Sequence, residues 1–135
     1  MSNSIYTDLS IKTFKEILNI VDDEDQPQTT GIIIKFGADW CGPCKRIQPY
    51  CHEVFKSLNQ KIICFDLNIE DEDNIELYMA YKQKKMITTI PVLFAYVSNP
   101  TRDNNHWWAP DFSVNSSQQH DVEQFFQKVK TLTRY

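Results

Sequence analysis

Three short, nearly unbroken apolar runs constrain this chain most: residues 32–36, 61–67 and 92–97. Apolar runs without polar alternation fit strands that are covered on both faces, as at the centre of a parallel sheet. Around them the apolar residues change to helical spacing. One stripe is Phe14, Ile17, Leu18 and Val21. A second is Cys44, Ile47, Cys51, Val54, Phe55 and Leu58, and a last is Val122, Phe125, Phe126, Val129 and Leu132. Strand followed by helix followed by strand implies parallel crossovers. The expected product is an α/β fold, a mixed central sheet of about five strands flanked by four helices on both faces.

The punctuation refines this order. A brief strand is expected at residues 5–7, followed by a helix capped by Asp8 or Ser10. Residues 22–31 form a polar loop whose acidic run reads as solvated. The next helix starts close to Cys41, and Pro49 within it should kink it. Acidic residues 70–73 suit a helix N-terminus and Lys82, Lys84 and Lys85 its end, so a helix is read over about 73–81. Residues 98–105 are rich in turn formers. Residues 106–114 read as a strand, held to the sheet edge by Pro110. The last helix takes Ser116 or Asp121 as its cap.

Length and charge narrow the function. The 135 residues read as one domain spanning 1–135. A net charge of −4 gives neither the basic footprint of a nucleic-acid binder nor a handle for an anionic membrane. No apolar run is long enough to cross a bilayer. The first eight residues have neither the charge nor the apolar core of a secretion signal. A cytoplasmic, reducing environment is therefore expected, where cysteines are catalytic or metal-binding more often than structural bridges.

The four cysteines are Cys41, Cys44, Cys51 and Cys64. Cys41 falls where a strand hands over to a helix, and free N–H groups and the positive dipole end there favour a thiolate. Cys44 lies one turn on, close enough to pair with Cys41 in a disulfide, and its place on the apolar stripe makes it the more buried thiol. Cys41 is thus expected to attack a substrate disulfide, and Cys44 to resolve the mixed disulfide. Gly42 would permit the tight turn, and Pro43 suits a first helical turn because it lacks the N–H. Zinc sites use the same two-residue spacing and could recruit Cys51 or Cys64. Both also sit at inward positions, where free cysteine is a common core residue.

Trp40-Cys41-Gly42-Pro43-Cys44-Lys45 resembles the active-site signature of the thioredoxin family. Pro49 matches the family's proline within the same helix, and Ile90-Pro91 matches its cis-proline site. The order of elements is similar from about residue 5 to residue 132. The resemblance implies a thioredoxin fold and a protein-disulfide reductase that needs no bound cofactor beyond the redox-active disulfide Cys41–Cys44. It implies that Trp40 shields the site and contacts substrates. A cis peptide before Pro91 would set Thr89 and Ile90 beside the disulfide, ready to pair with an extended substrate strand. The implied partners are disulfide-containing proteins and an NADPH-dependent flavin reductase, with the chain acting as a monomer. The other reading is a thioredoxin-fold interaction module or assembly subunit with little turnover.

Two departures stand out. Family members usually carry an acid at the strand position of Lys35, and many carry a lysine where this chain has Asp66. Neighbouring parallel strands lie about 4.8 Å apart, so Lys35 and Asp66 could meet beneath the site. Asp66, held by Lys35, is then the expected proton acceptor for Cys44. Alternatively Lys35 snorkels outward and Asp66 faces solvent. The second departure is the long hairpin connection with Trp107-Trp108, followed by Asn115 where the family commonly has a glycine at the substrate groove. The loop and the Trp pair either alter partner choice or pack on the sheet.

Overall fold

Every residue of β2 (Gly31–Gly37) is buried, as an apolar run covered on both faces requires. The computed structural model describes residues 2–133. Besides β2 it contains β1 (Ile5–Tyr6), α1 (Ile11–Asp22), α2 (Gly42–Ser57), β3 (Ile62–Asn68), α3 (Glu72–Gln83), β4 (Val92–Val97), β5 (Phe112–Val114) and α4 (Gln119–Leu132). The sheet order is β1-β3-β2-β4-β5. β1, β3 and β2 run parallel, whereas β4 and β5 are antiparallel additions. This is the expected mixed five-stranded sheet with four helices.

Strand parity sorts the core into two layers. Ile32, Ile34 and Phe36 face one side and pack with Phe14, Leu18 and Val21 of α1 and Leu77 and Tyr81 of α3. Ile33 faces the other side, with Ile47, Cys51 and Phe55 of α2 and Val122, Phe125 and Phe126 of α4. Phe14, Phe36, Phe55, Phe94 and Phe126 are all but fully buried. Burial of each such ring contributes about 1.5–3 kcal/mol. Cys51 and Cys64 lie wholly inside the second layer, in the core positions their spacing indicates.

Several local expectations change. Ser10 caps α1, accepting from the Thr13 N–H at 3.1 Å. α3 is a residue longer at its start and two at its end than the sequence spacing predicts, and Asp71 caps it by accepting from the Asp73 N–H. Pro49 lies inside α2, where the sequence places it. Gln118, not Ser116 or Asp121, is the cap residue of α4, and its side chain makes no cap bond. Ser116 Oγ instead accepts from the Gln118 N–H and donates to Asp121, so the two expected caps brace each other ahead of the helix.

The largest correction concerns residues 106–114. Only Phe112–Val114 is strand. Asn104–His106 form a short 3₁₀ turn, and Trp107 and Trp108 leave the sheet to pack on its α1/α3 side. Trp107 meets Phe14 and Tyr81 edge-on, each at 5.9 Å between centroids. Arg102 holds the preceding loop down. Its guanidinium donates to Asp22 at 2.8 Å, Asp111 at 2.9 Å and the Val97 carbonyl at 2.7 Å. Partly covering two aromatic rings and satisfying this guanidinium outweigh the few ladder bonds a longer edge strand would add. The connection leaves β4 beside Gly31, at the far end of β2 from Gly37, about 20 Å along the strand.

Candidate active site

β2 ends at Gly37 and delivers the chain to α2 through 38–41. Cys41 caps α2, its Sγ accepting from the Cys44 N–H at 3.2 Å. The Cys41 N–H in turn donates to the Ala38 carbonyl at 3.1 Å. No acidic residue stands in the first turn of α2, so nothing competes with a sulfur anion for the positive helix end. Cys41 and Cys44 form a disulfide with Cα atoms 5.2 Å apart. Both are nearly closed off, at 5% and 3% exposure. The expected contrast in burial is therefore slight in the disulfide form, because Ala38, Ile69 and Ile90 pack around both.

Pro43 lies in the first turn, as its missing N–H allows. Gly42 does not have positive φ, and a Cβ there would meet nothing within 4 Å. The turn thus does not require glycine; what Gly42 does is leave open space beside Cys41. Trp40 is two-thirds exposed next to the disulfide. The Ile90–Pro91 peptide is cis, and the Ile90 carbonyl lies 3.8 Å from Cys41 Sγ. Asn115 clamps the neighbouring Thr89, accepting from its hydroxyl at 2.8 Å and donating to its carbonyl at 2.9 Å. The Thr89 carbonyl is thereby occupied, which leaves Ile90 as the backbone beside the sulfur.

Lys35 and Asp66 meet. They are register partners on β2 and β3 and share the parity that faces α2. Lys35 Nζ lies 3.2 Å from Asp66 Oδ1, with the lysine side chain 3% and the aspartate 12% exposed. Neither snorkels or faces free solvent. The other carboxylate oxygen, Oδ2, lies 2.5 Å from His52 Nε2. His52 went unnoticed in the sequence, although Cys44, Gln48 and His52 make an i, i+4, i+8 row along one edge of α2. A cleft of about 190 Å³ is bounded by Cys44, Gln48, His52, Asp66 and Lys35.

Cys64 is not brought to the site, whereas Cys51 lies buried close enough to Lys35 and Asp66 to feel both charges. Burial pushes both thiols up to about 12, so they stay protonated at neutral pH. Lys45 and Arg46 are exposed on α2. Among the described residues no helix is long and apolar enough to cross a membrane.

The Thioredoxin family model matches residues 8–105. A thioredoxin of Rickettsia felis is 31% identical over 103 residues, covering 76% of this chain and 82% of that protein. Among solved structures, a thioredoxin of Plasmodium falciparum superposes with a TM-score of 0.61 at 24% identity, over 93% of this chain and 97% of that one. Thioredoxin f2, in a crystal structure of its complex with ferredoxin:thioredoxin reductase, superposes with a TM-score of 0.66 at 18% identity, over 96% and 97%. At these identities the two structures speak to the fold.

Proposed function

The chain belongs to the thioredoxin family, and from that premise we propose how its cysteine pair works. It is a thiol–disulfide oxidoreductase of the protein-disulfide reductase type. In the cycle we propose, the Cys41 thiolate attacks a substrate disulfide and displaces one substrate sulfur. Cys44 then attacks Cys41 Sγ, releasing the second substrate thiol and leaving the Cys41–Cys44 disulfide. The observation that carries this division of labour is the placing of Cys41 Sγ at the α2 N-cap, where it accepts from a backbone N–H. Asp66, held by Lys35, takes the proton of Cys44; the 3.2 Å ion pair on the α2 side of the sheet supports this. Trp40, Gly42, Pro43, Thr89, Ile90 and Pro91 line the substrate approach, and an extended substrate strand pairs with the Ile90 backbone.

A reductase partner restores the dithiol. We assign an NADPH-dependent flavin reductase to that role, and the thioredoxin f2 complex motivates a ferredoxin-linked enzyme as the comparison. The cytoplasm is the compartment we propose, since a reductase needs a reducing milieu. The chain acts there as a monomer.

Insulin reduction by dithiothreitol tests the reading, with wild type beside Cys41→Ser. Wild type should precipitate insulin chains well before the variant. Equal lag times would remove the reductase assignment and leave an interaction module. Supplying each reductase in turn, with its own electron donor, identifies the partner by sustained turnover.

A further inference from the structure

The proton that leaves Cys44 must reach water from a residue that is only 3% exposed. Lys35 offers no way out, because its ammonium is buried and engaged on Asp66 Oδ1. The other oxygen of Asp66 meets His52, whose side chain keeps 32% of its surface exposed. Gly37 supplies the space on the inner side. A Cβ there would lie 3.4 Å from both Cys44 Sγ and Lys35 Nζ, so glycine leaves the gap between them open. Gly37 lines the same 190 Å³ cleft as Cys44, Asp66 and His52, and that volume is ample for water.

We propose that His52 is a positioning residue of the reductive cycle, the outer end of a proton path from Cys44 past the Gly37 gap to Asp66 and on to solvent. This rests on the assignment of Asp66 as the proton acceptor. As Cys44 attacks the mixed disulfide, its thiol proton passes to the Asp66 carboxylate, directly or through a water in the gap. The Cys41–Cys44 bond forms while the bond from Cys41 to the substrate sulfur breaks. That sulfur departs with the electron pair and takes a proton from solvent. With the His52 ring in its Nδ1–H tautomer, Asp66 hands its proton to the free Nε2, and Nδ1 releases its own proton to water. The substrate disulfide is the only oxidant consumed.

Among the described residues, charged groups face His52 from several elements. Asp66 of β3 and, behind it, Lys35 of β2 face it across the sheet. Lys45 stands in the cleft from α2, with Asp39 after β2 and Asp71 before α3. Glu53 and Lys56 of its own helix border its other side, and Ile5 of β1 and the following Thr7 line the cleft without charge. A protonated His52 can no longer accept, and its charge makes Asp66 a weaker base. Resolution by Cys44 should therefore slow towards acid pH.

Stopped-flow reaction of the reduced protein with dithiobis(nitrobenzoate) separates the steps: the first thionitrobenzoate released reports Cys41 attack, the second resolution by Cys44. Between pH 5.5 and 8, wild type should show an inflection in the second phase. His52→Gln keeps a hydrogen-bond donor for Asp66 but cannot relay a proton. It should lose the inflection and slow that phase about tenfold at pH 7.5, with the first phase unchanged. Asp66→Asn should slow the second phase at every pH. A His52→Gln profile that overlays wild type, or that is slower yet keeps the inflection, overturns the role of His52. In that case a slow Asp66→Asn leaves Asp66 standing as the acceptor, whereas a normal one removes that assignment too. Thermal melting of His52→Gln within a few degrees of wild type shows that the fold is intact.

Discussion

Neutralising Asp66 should cost the fold more than neutralising Lys35, although the two form one ion pair. The Lys35 side chain is 3% exposed, and among the described residues Asp66 is its only ion-pair partner. Asp66→Asn therefore strands a buried ammonium. Removing one member of a buried pair in this way costs about 3–5 kcal/mol. Lys35→Met strands much less. Asp66 keeps its His52 partner and 12% exposure, and a methionine chain refills the space of the lysine stem. What is lost is one charge-assisted hydrogen bond, about 1.5–3 kcal/mol. The double variant buries neither charge and should return to within about 1 kcal/mol of wild type. Urea unfolding of the oxidised protein at pH 7, with the m-value checked for constancy, measures all three. Lys35→Met as costly as Asp66→Asn would refute this reasoning. So would a double variant at the sum of the two losses, because that would show no coupling between the charges.

Two further outcomes follow from the same geometry. Trp107→Ala should destabilise by about 2–3 kcal/mol, less than a fully buried ring because Trp107 is only partly covered, and should leave insulin reduction unchanged because the loop leaves the sheet at the Gly31 end; a slower reductase of normal stability would overturn that. Cys51 and Cys64, pushed up to about 12 by burial, should resist iodoacetamide at pH 8 while Cys41 of the reduced protein is labelled, as peptide mass spectrometry would read. The sign of the accompanying pH effect is fixed. Unfolded thiols ionise near 9.0 and the folded ones only near 12, so the stability these thiols contribute is complete below pH 9 and is lost as pH rises towards 12. Cys51→Ala and Cys64→Ala should each flatten that alkaline decline in denaturant titrations.

The sequence was most informative where one local pattern had one physical outcome. The apolar run around Ile33 could only be a strand covered on both faces, and the stripe from Cys44 to Phe55 could only be a helix laid over it. Cys41 at the junction followed from those two elements. That Lys35 and Asp66 could meet was legible from adjacent strands, and the observed register chose that over the outward alternative. Local pattern misled where tertiary burial competed with it. Residues 106–110 look like a strand, yet Trp107 gains more by packing on Phe14 and Tyr81. Gly42 looks like a turn requirement, yet its backbone needs no glycine.

By itself, then, the sequence determined the order of elements, the two-layer core and the cysteine pair at a strand-to-helix turn. These depend on spacing along the chain, which is one-dimensional information. Tertiary structure alone decided what surrounds the pair. His52 reaches Asp66 because α2 crosses β3 at that height, and Asn115 clamps Thr89 because β5 ends beside the cis peptide. Gly37 opens onto Cys44 and Lys35 because the strand and helix approach closely there. Such contacts join residues far apart in sequence, and their geometry is set by how the layers pack.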